Sequence, residues 1–240
     1  MPWDFALILA FLAIAVPLVG RRRVRELMQV PQTTKANRLA LYRSTVVFQW
    51  LAATVIFWRT AAHRVEASRL GLAIPNARLV ATTSLLLSAL VLANQLLSLR
   101  RLAHEPGESR SILPQLARKV FPQDHQERLA FLGVVCTVSI CEEFIFRGFA
   151  QQVFENTWQG SVLVGIVASA LLFAVAHLYQ GRRGVIATFV VAVLFASIRS
   201  WTGSLVPPMV AHFTADLTAG LLAPSRIGGV GSSDPNIAKP

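Results

Sequence analysis

The chain of 240 residues is 54% hydrophobic and only 15% charged, with a mean hydropathy of +0.53. A soluble domain averages about 25% charged residues, so this deficit, together with several long apolar runs, argues against a soluble globule and for a polytopic membrane protein. The net charge of +11 would suit nucleic acid, but the basic stretches lack aromatic interleaving or a binding motif. Basic residues also collect in cytoplasmic loops, so the expected partner is the lipid bilayer and no nucleic acid.

The predicted fold class is all-α, a membrane helical bundle of about seven transmembrane helices within a range of six to eight. The expected spans are about 3–20, 44–62, 79–99, 129–150, 161–178, 185–199 and 207–223, most of them near the ~20 residues needed to cross the hydrocarbon core. The first has Asp4 ahead of it and Arg21, Arg22 and Arg23 behind it. A signal peptide has the opposite polarity, so this segment is read as a retained anchor. Between the third and fourth spans, residues 100–128 carry Pro114, Pro122 and mixed charge and read as a cytoplasmic connector with an interfacial helix. The two cysteines, Cys136 and Cys141, stand five apart on the fourth span. They point about 140° away from each other, which excludes a mutual disulfide. Ser161, Gly165 and Ser169 recur every four residues on the fifth span, a spacing that lets helix backbones pack closely. The sixth span is short. Pro207 and Pro208 suit the first turn of the seventh, where a missing N–H costs nothing. Beyond it, residues 224–240 are rich in Gly, Ser and Pro and read as a disordered tail.

Most of the 23 Lys and Arg residues fall in 21–43, 100–128, 179–184 and the tail, whereas Arg59, Arg64, Arg69, Arg78 and Arg199 lie on the other side. The positive-inside rule then puts the N-terminus outside and the C-terminus in the cytoplasm.

Ionisable groups intrude on three of the spans. In "SICEEFIFRGF", residues 139–149, Glu143 and Arg147 are i and i+4, with glutamate first, the favourable order for an ion pair. Glu142 is turned about 100° away and projects independently among apolar neighbours. A carboxylate in such surroundings can exchange a proton near neutrality, the property wanted in a general base that activates water. His177 follows Phe173 by four residues near the end of the fifth span. His212 and Asp216 are i and i+4 on the last span, so Asp216 can accept the ring N–H and fix its tautomer. A single intramembrane histidine is ordinarily a packing residue. Three helices that each carry Glu or His point instead to function. His63, His104 and His125 fall in predicted loops and read as surface residues.

The order Glu142-Glu143-xxx-Arg147, Phe173-xxx-His177 and His212-xxx-Asp216, with "WTGSLVPPMVAHFTADL" leading through the last motif, resembles the CPBP intramembrane proteases. That family joins eukaryotic CAAX prenyl endopeptidases with bacterial bacteriocin-processing and self-immunity proteins. The resemblance covers roughly residues 128–223 and divides the chain into N-terminal helices with a connector (1–127), a catalytic helical core (128–223) and the tail (224–240). It implies an intramembrane endopeptidase in a bacterial cell membrane that hydrolyses a membrane-anchored protein or peptide. Glu142 would activate water with help from His177, Glu143 and Arg147 would hold the base in place, and His212 would stabilise the oxyanion. The family often has Asn at the last motif position. Here it is Asp216, which cannot donate a hydrogen bond when ionised and so would orient His212 or favour its imidazolium form instead.

Two mechanisms remain open. No cofactor is required if Glu142 acts as a glutamate-type base. Alternatively Glu142, His177 and His212 would hold a divalent metal such as zinc with an open position for water. The metal-free route is preferred, because Glu142 is poorly placed to be both ligand and base. Competing functions are a proton-coupled transporter and a non-catalytic self-immunity or binding protein. One conflict stands in the spans themselves: Glu142 lies about 21 Å along its helix from Arg128, whereas His177 is expected near the cytoplasmic end of the next span.

Overall fold

The computed structural model describes residues 1–104 and 112–227. The described residues form eight helices: α1 (Trp3–Gln29), α2 (Lys35–Ala62), α3 (Ala77–His104), α4 (Ile112–Val120), α5 (His125–Thr157), α6 (Val162–Ala176), α7 (Gly181–Thr202) and α8 (Val206–Ile227). Among the described residues the only β-type pairing is an isolated bridge between Leu72 and Ser204. The bundle is therefore all-α, as the composition predicts.

Among the described residues five helices are long and apolar enough to cross a membrane: α1, α2, α3 as far as Ser98, α5, and the stretch Leu178–Thr202 that contains α7. The sixth expected span is thus longer than its predicted limits of 185–199. The fifth, α6, has only 15 residues, about 22 Å of helix against a hydrocarbon core of ~30 Å. It is too short to cross alone. α8 is 22 residues long but carries His212 and Asp216 and is not among the five. It runs to Ile227, into the stretch expected as a tail, and residues 228–240 lie outside the described part. A helix, α4, does occupy the 100–128 connector.

Local chemistry explains the boundaries. The Thr34 hydroxyl caps α2 by accepting from the Asn37 N–H, and the Asp124 carboxylate caps α5 by accepting from the Glu127 N–H at 2.9 Å. α7 stops at Gly203, whose φ of +66° is the left-handed conformation that favours glycine after a helix. Pro207 and Pro208 sit in the first turn of α8, as expected.

α5 is the central helix. Half of its most apolar window is buried, against 28% or less for the other four spans, which turn more of their surface to lipid. Phe144, Ile145, Phe146 and Phe149 of α5 form one core with Phe5, Leu9 and Leu12 of α1, Ala53 and Ile56 of α2, and Phe173 of α6. The N-terminal helices therefore share a core with the region that carries the motifs. A buried ion pair adds to this join: Arg38 of α2 donates to both carboxylate oxygens of Glu127 at 3.1 and 2.8 Å. On α6, Gly165 gives room to α5, since a Cβ there would meet the Gln151 carbonyl at 3.1 Å and the Glu155 side chain closer still. Cys136 is exposed and Cys141 buried, and both are free thiols.

Candidate active site

The motif helix is not uniformly α-helical. From Glu143 to Ala150 α5 adopts a π-helical turn, and all eight of these residues are buried. Such turns are frequent at functional sites because they shift side chains off the regular helical register. Within it the expected ion pair forms, with Arg147 3.0 Å from Glu143 and both side chains at most 1% exposed. The guanidinium lies 4.1 Å over the Phe173 ring and 5.6 Å from that of Phe195, so its outer face meets aromatic π-density rather than lipid.

Phe173 is the hub of the arrangement. Its ring centroid is 4.9 Å from Phe146, 4.3 Å from His177 and 6.4 Å from His212. The histidine four residues on terminates α6: His177 leaves the helical conformation, and its Nδ1 bonds the Phe173 carbonyl oxygen at 2.8 Å. A carbonyl can only accept, so Nδ1 carries the proton and Nε2 remains an acceptor.

Glu142 and His177 line the same cavity, of about 130 Å³, with Phe146 and Tyr179 beside them and Leu12, Val16 and Gly20 of α1 opposite. The conflict over depth is resolved at Glu142. It bonds Gln49, close to the start of the 44–62 apolar run, and a Cβ on Gly20, at the end of the 3–20 run, would lie 3.5 Å from the Tyr179 ring. Glu142 and the α6–α7 turn therefore both lie towards the Arg21 end of the bundle, where His177 meets the carboxylate.

His212 reaches this centre by a different route. Its Nδ1 donates to Oε1 of Glu143 at 2.7 Å, the oxygen that also takes Arg147. Its Nε2 faces Asp216 at 3.6 Å, within ion-pair range but beyond a direct hydrogen bond. The tight orienting partner of His212 is thus Glu143, on another helix, with Asp216 as the looser neighbour. His212 is not among the residues that line the Glu142–His177 cavity. The six expected residues form two adjoining groups around Phe173: Glu142 with His177 on the cavity, and Glu143, Arg147, His212 and Asp216 behind it.

Sequence reading missed Gln49. This α2 residue lines the cavity, and its side-chain amide donates to Oε1 of Glu142 at 2.7 Å. The available signal was a lone amide within the apolar run "VVFQWLAATV". His63 is exposed as expected but not idle, since its Nε2 lies 2.9 Å from Asp4 and its ring meets Phe5 edge-on. That cluster, completed by Arg59 at 2.7 Å from Asp4, ties α1 to α2. His125 is exposed at the start of α5, and the side chain of His104 lies outside the described part.

The residues present do not fit a resident metal. Among the described residues no group of three or more His, Cys, Asp or Glu side chains is arranged to hold one. The three side chains also do not share one cavity, since His212 is absent from the lining around Glu142 and His177. The alternative in which Glu142, His177 and His212 ligate a divalent ion gains no support from this geometry.

Comparison with known proteins bears on the same stretch. Residues 124–218 match the family model of Rce1-like, type II CAAX prenyl endopeptidases. The matched stretch runs from the cap of α5 into α8 and contains all six motif residues. A search of the curated proteins and one of the solved structures each returned no significant match.

Proposed function

We propose that this chain, whose residues 124–218 match the Rce1-like type II CAAX prenyl endopeptidases, is an intramembrane endopeptidase of the CPBP kind in which Glu142 is the general base for hydrolysis of a peptide bond of a membrane-anchored protein or peptide. The observation that carries this is the cavity shared by Glu142 and His177. At about 130 Å³ it has room for a few waters, each of which takes roughly 30 Å³ in the liquid, beside a carboxylate inside an apolar bundle.

In this mechanism Oε1 of Glu142 is held by Gln49, so Oε2 takes a proton from water as the water oxygen bonds to the scissile carbonyl carbon. Nε2 of His177 accepts a hydrogen bond from the water's other O–H, which stays on the attacking oxygen, and so aims a lone pair at the carbonyl. The carbonyl π-electrons move onto oxygen, and the oxyanion takes an N–H from Nε2 of His212, which swings from Asp216 while Glu143 keeps Nδ1 in place. When the tetrahedral species collapses the C–N bond breaks, and the proton on Glu142 passes to the departing amine. Glu143 and Arg147 fix the π-helical turn that aims the base. Every step uses the chain's own residues and water. By the charge bias of the loops, the N-terminus lies outside and the C-terminus in the cytoplasm of a bacterial cell membrane.

The test is membrane proteomics of cells that express wild type, Glu142→Ala or His177→Ala, with each variant's expression and folding checked. Protein termini produced by the wild type should vanish in both variants. Rates for any one site should fall by roughly 10²–10⁴-fold, the usual contribution of acid–base catalysis. Unchanged termini in a folded Glu142→Ala strain would refute the reading and leave a binding or immunity role.

A further inference from the structure

We propose that Gln49, on a helix outside the matched domain, is a positioning residue for the reaction: its amide clamps one oxygen of Glu142 so that the other is the base. This rests on the role of Glu142 proposed above.

The geometry is specific. Gln49 comes from α2, and its Nε2 stands 2.7 Å from Oε1 of Glu142, a short bond of the kind made to a charged acceptor. Both residues line the cavity. A carboxylate on a flexible two-carbon stem in an apolar pocket can present either oxygen through several rotamers. One fixed donor on Oε1 removes that freedom and leaves Oε2 with a defined direction. A donor also favours the ionised form over the protonated one, which is the form a base needs. Other groups act on the same carboxylate. Glu143 and Arg147 share its helix, His212 and Asp216 face it from α8, and His177 and Tyr179 come from the α6–α7 turn. The α1 residues that line the cavity, Leu12, Val16 and Gly20, carry no charge. The ionisable groups act on Glu142 through their charge, whereas the side-chain hydrogen bond to it among the described residues comes from Gln49 on α2.

An ordinary packing amide would predict the same bond, so the test must read something packing does not move. Gln49→Met keeps the length and apolar fit while it removes the donor. Gln49→Glu keeps a hydrogen bond only while one proton is shared between two carboxyls. The substrate is a prenylated CAAX peptide in liposomes or, where that peptide is not cleaved, a terminus that disappears in Glu142→Ala cells. Gln49→Met should lower kcat/KM by roughly 10- to 150-fold, the span for a lost hydrogen bond to a charged group. The loss should appear in kcat and not in KM, with the acidic limb of the pH profile displaced to higher pH by about one unit or more. Gln49→Glu should be active at low pH and acquire a new alkaline limb as the shared proton leaves. Infrared titration of the carboxyl band that Glu142→Ala removes gives a readout without substrate, and that band should titrate at higher pH in Gln49→Met.

If Gln49→Met cleaves with the wild-type pH profile and its carboxyl band titrates as in wild type, the proposal is overturned. A loss of folding in Gln49→Met leaves the decision to the alkaline limb of Gln49→Glu, whose absence also overturns it. Full cleavage by Glu142→Ala would instead defeat the role of the base, an outcome distinct from failure of the clamp.

Discussion

Arg147→Met tests the electrostatic frame of the site. The arginine is 1% exposed, 3.0 Å from a Glu143 that has no exposed surface, and 4.1 Å above Phe173. Methionine fills much of the stem but leaves Glu143 without its cation, holding only the bond from His212 at 2.7 Å. Removing one partner of a buried ion pair costs about 3–5 kcal/mol, and a desolvated cation over a ring contributes about 2 kcal/mol. The two effects share one guanidinium and do not add. The expected loss of stability is therefore about 4 kcal/mol, read by equilibrium unfolding in mixed micelles. The double variant Glu143→Gln/Arg147→Met removes both charges, and it should be more stable than the sum of the single losses by at least about 1 kcal/mol. If Arg147→Met unfolds within about 0.5 kcal/mol of wild type, or the double variant is strictly additive, the pair does not frame the site.

Glu127→Leu should cost about 3–5 kcal/mol in the same assay, because Arg38, 5% exposed, loses a carboxylate that it holds through two bonds. Gly220→Ala should cost about 1–3 kcal/mol, since a Cβ there would lie 2.5 Å from Cζ of Phe131 and closer still to Cε1. Phe131 is buried in its own cluster with Tyr42 and Val135, so the ring cannot swing aside freely. Asp124, outside the spans, is held below the ordinary carboxylate value first by Lys35, 2.7 Å away, and then by the α5 backbone it caps. A lowered folded-state value means that its contribution is present above the unfolded value and is lost as pH falls through the folded one. Asp124→Asn, which still caps, should therefore change stability least below about pH 4, and the difference from wild type should widen as pH rises towards neutrality.

The helical class and the multiple spans could be read from the chain because each rests on short-range regularity. Apolar runs of membrane length declare helices wherever they pack. The i, i+4 spacing of Glu143 and Arg147 brings them together on almost any helix, and the structure pairs them as that spacing predicts. What could not be read was set by contacts between distant segments. Spacing offered Asp216 as the partner of His212, but the bundle brings Glu143 closer, at 2.7 Å against 3.6 Å. Gln49 and Glu142 are 93 positions apart, and Arg38 and Glu127 are 89 apart. No local pattern signals such pairs.

The depth of His177 shows the division most clearly. The sequence by itself determined that a helix ends near this histidine and that a glutamate stands on the helix before it. It did not determine that Glu142 stands level with Gln49 and with the α6–α7 turn, whose Tyr179 packs beside Gly20, because hydropathy measures how apolar a segment is and not the height at which it sits against its neighbours. Only the packing of α1, α2, α5 and α6 around Phe146 and Phe173 decided that Glu142 and His177 border one cavity. Close-packed side chains, more than the lengths of the apolar runs, fix the relative height of helices.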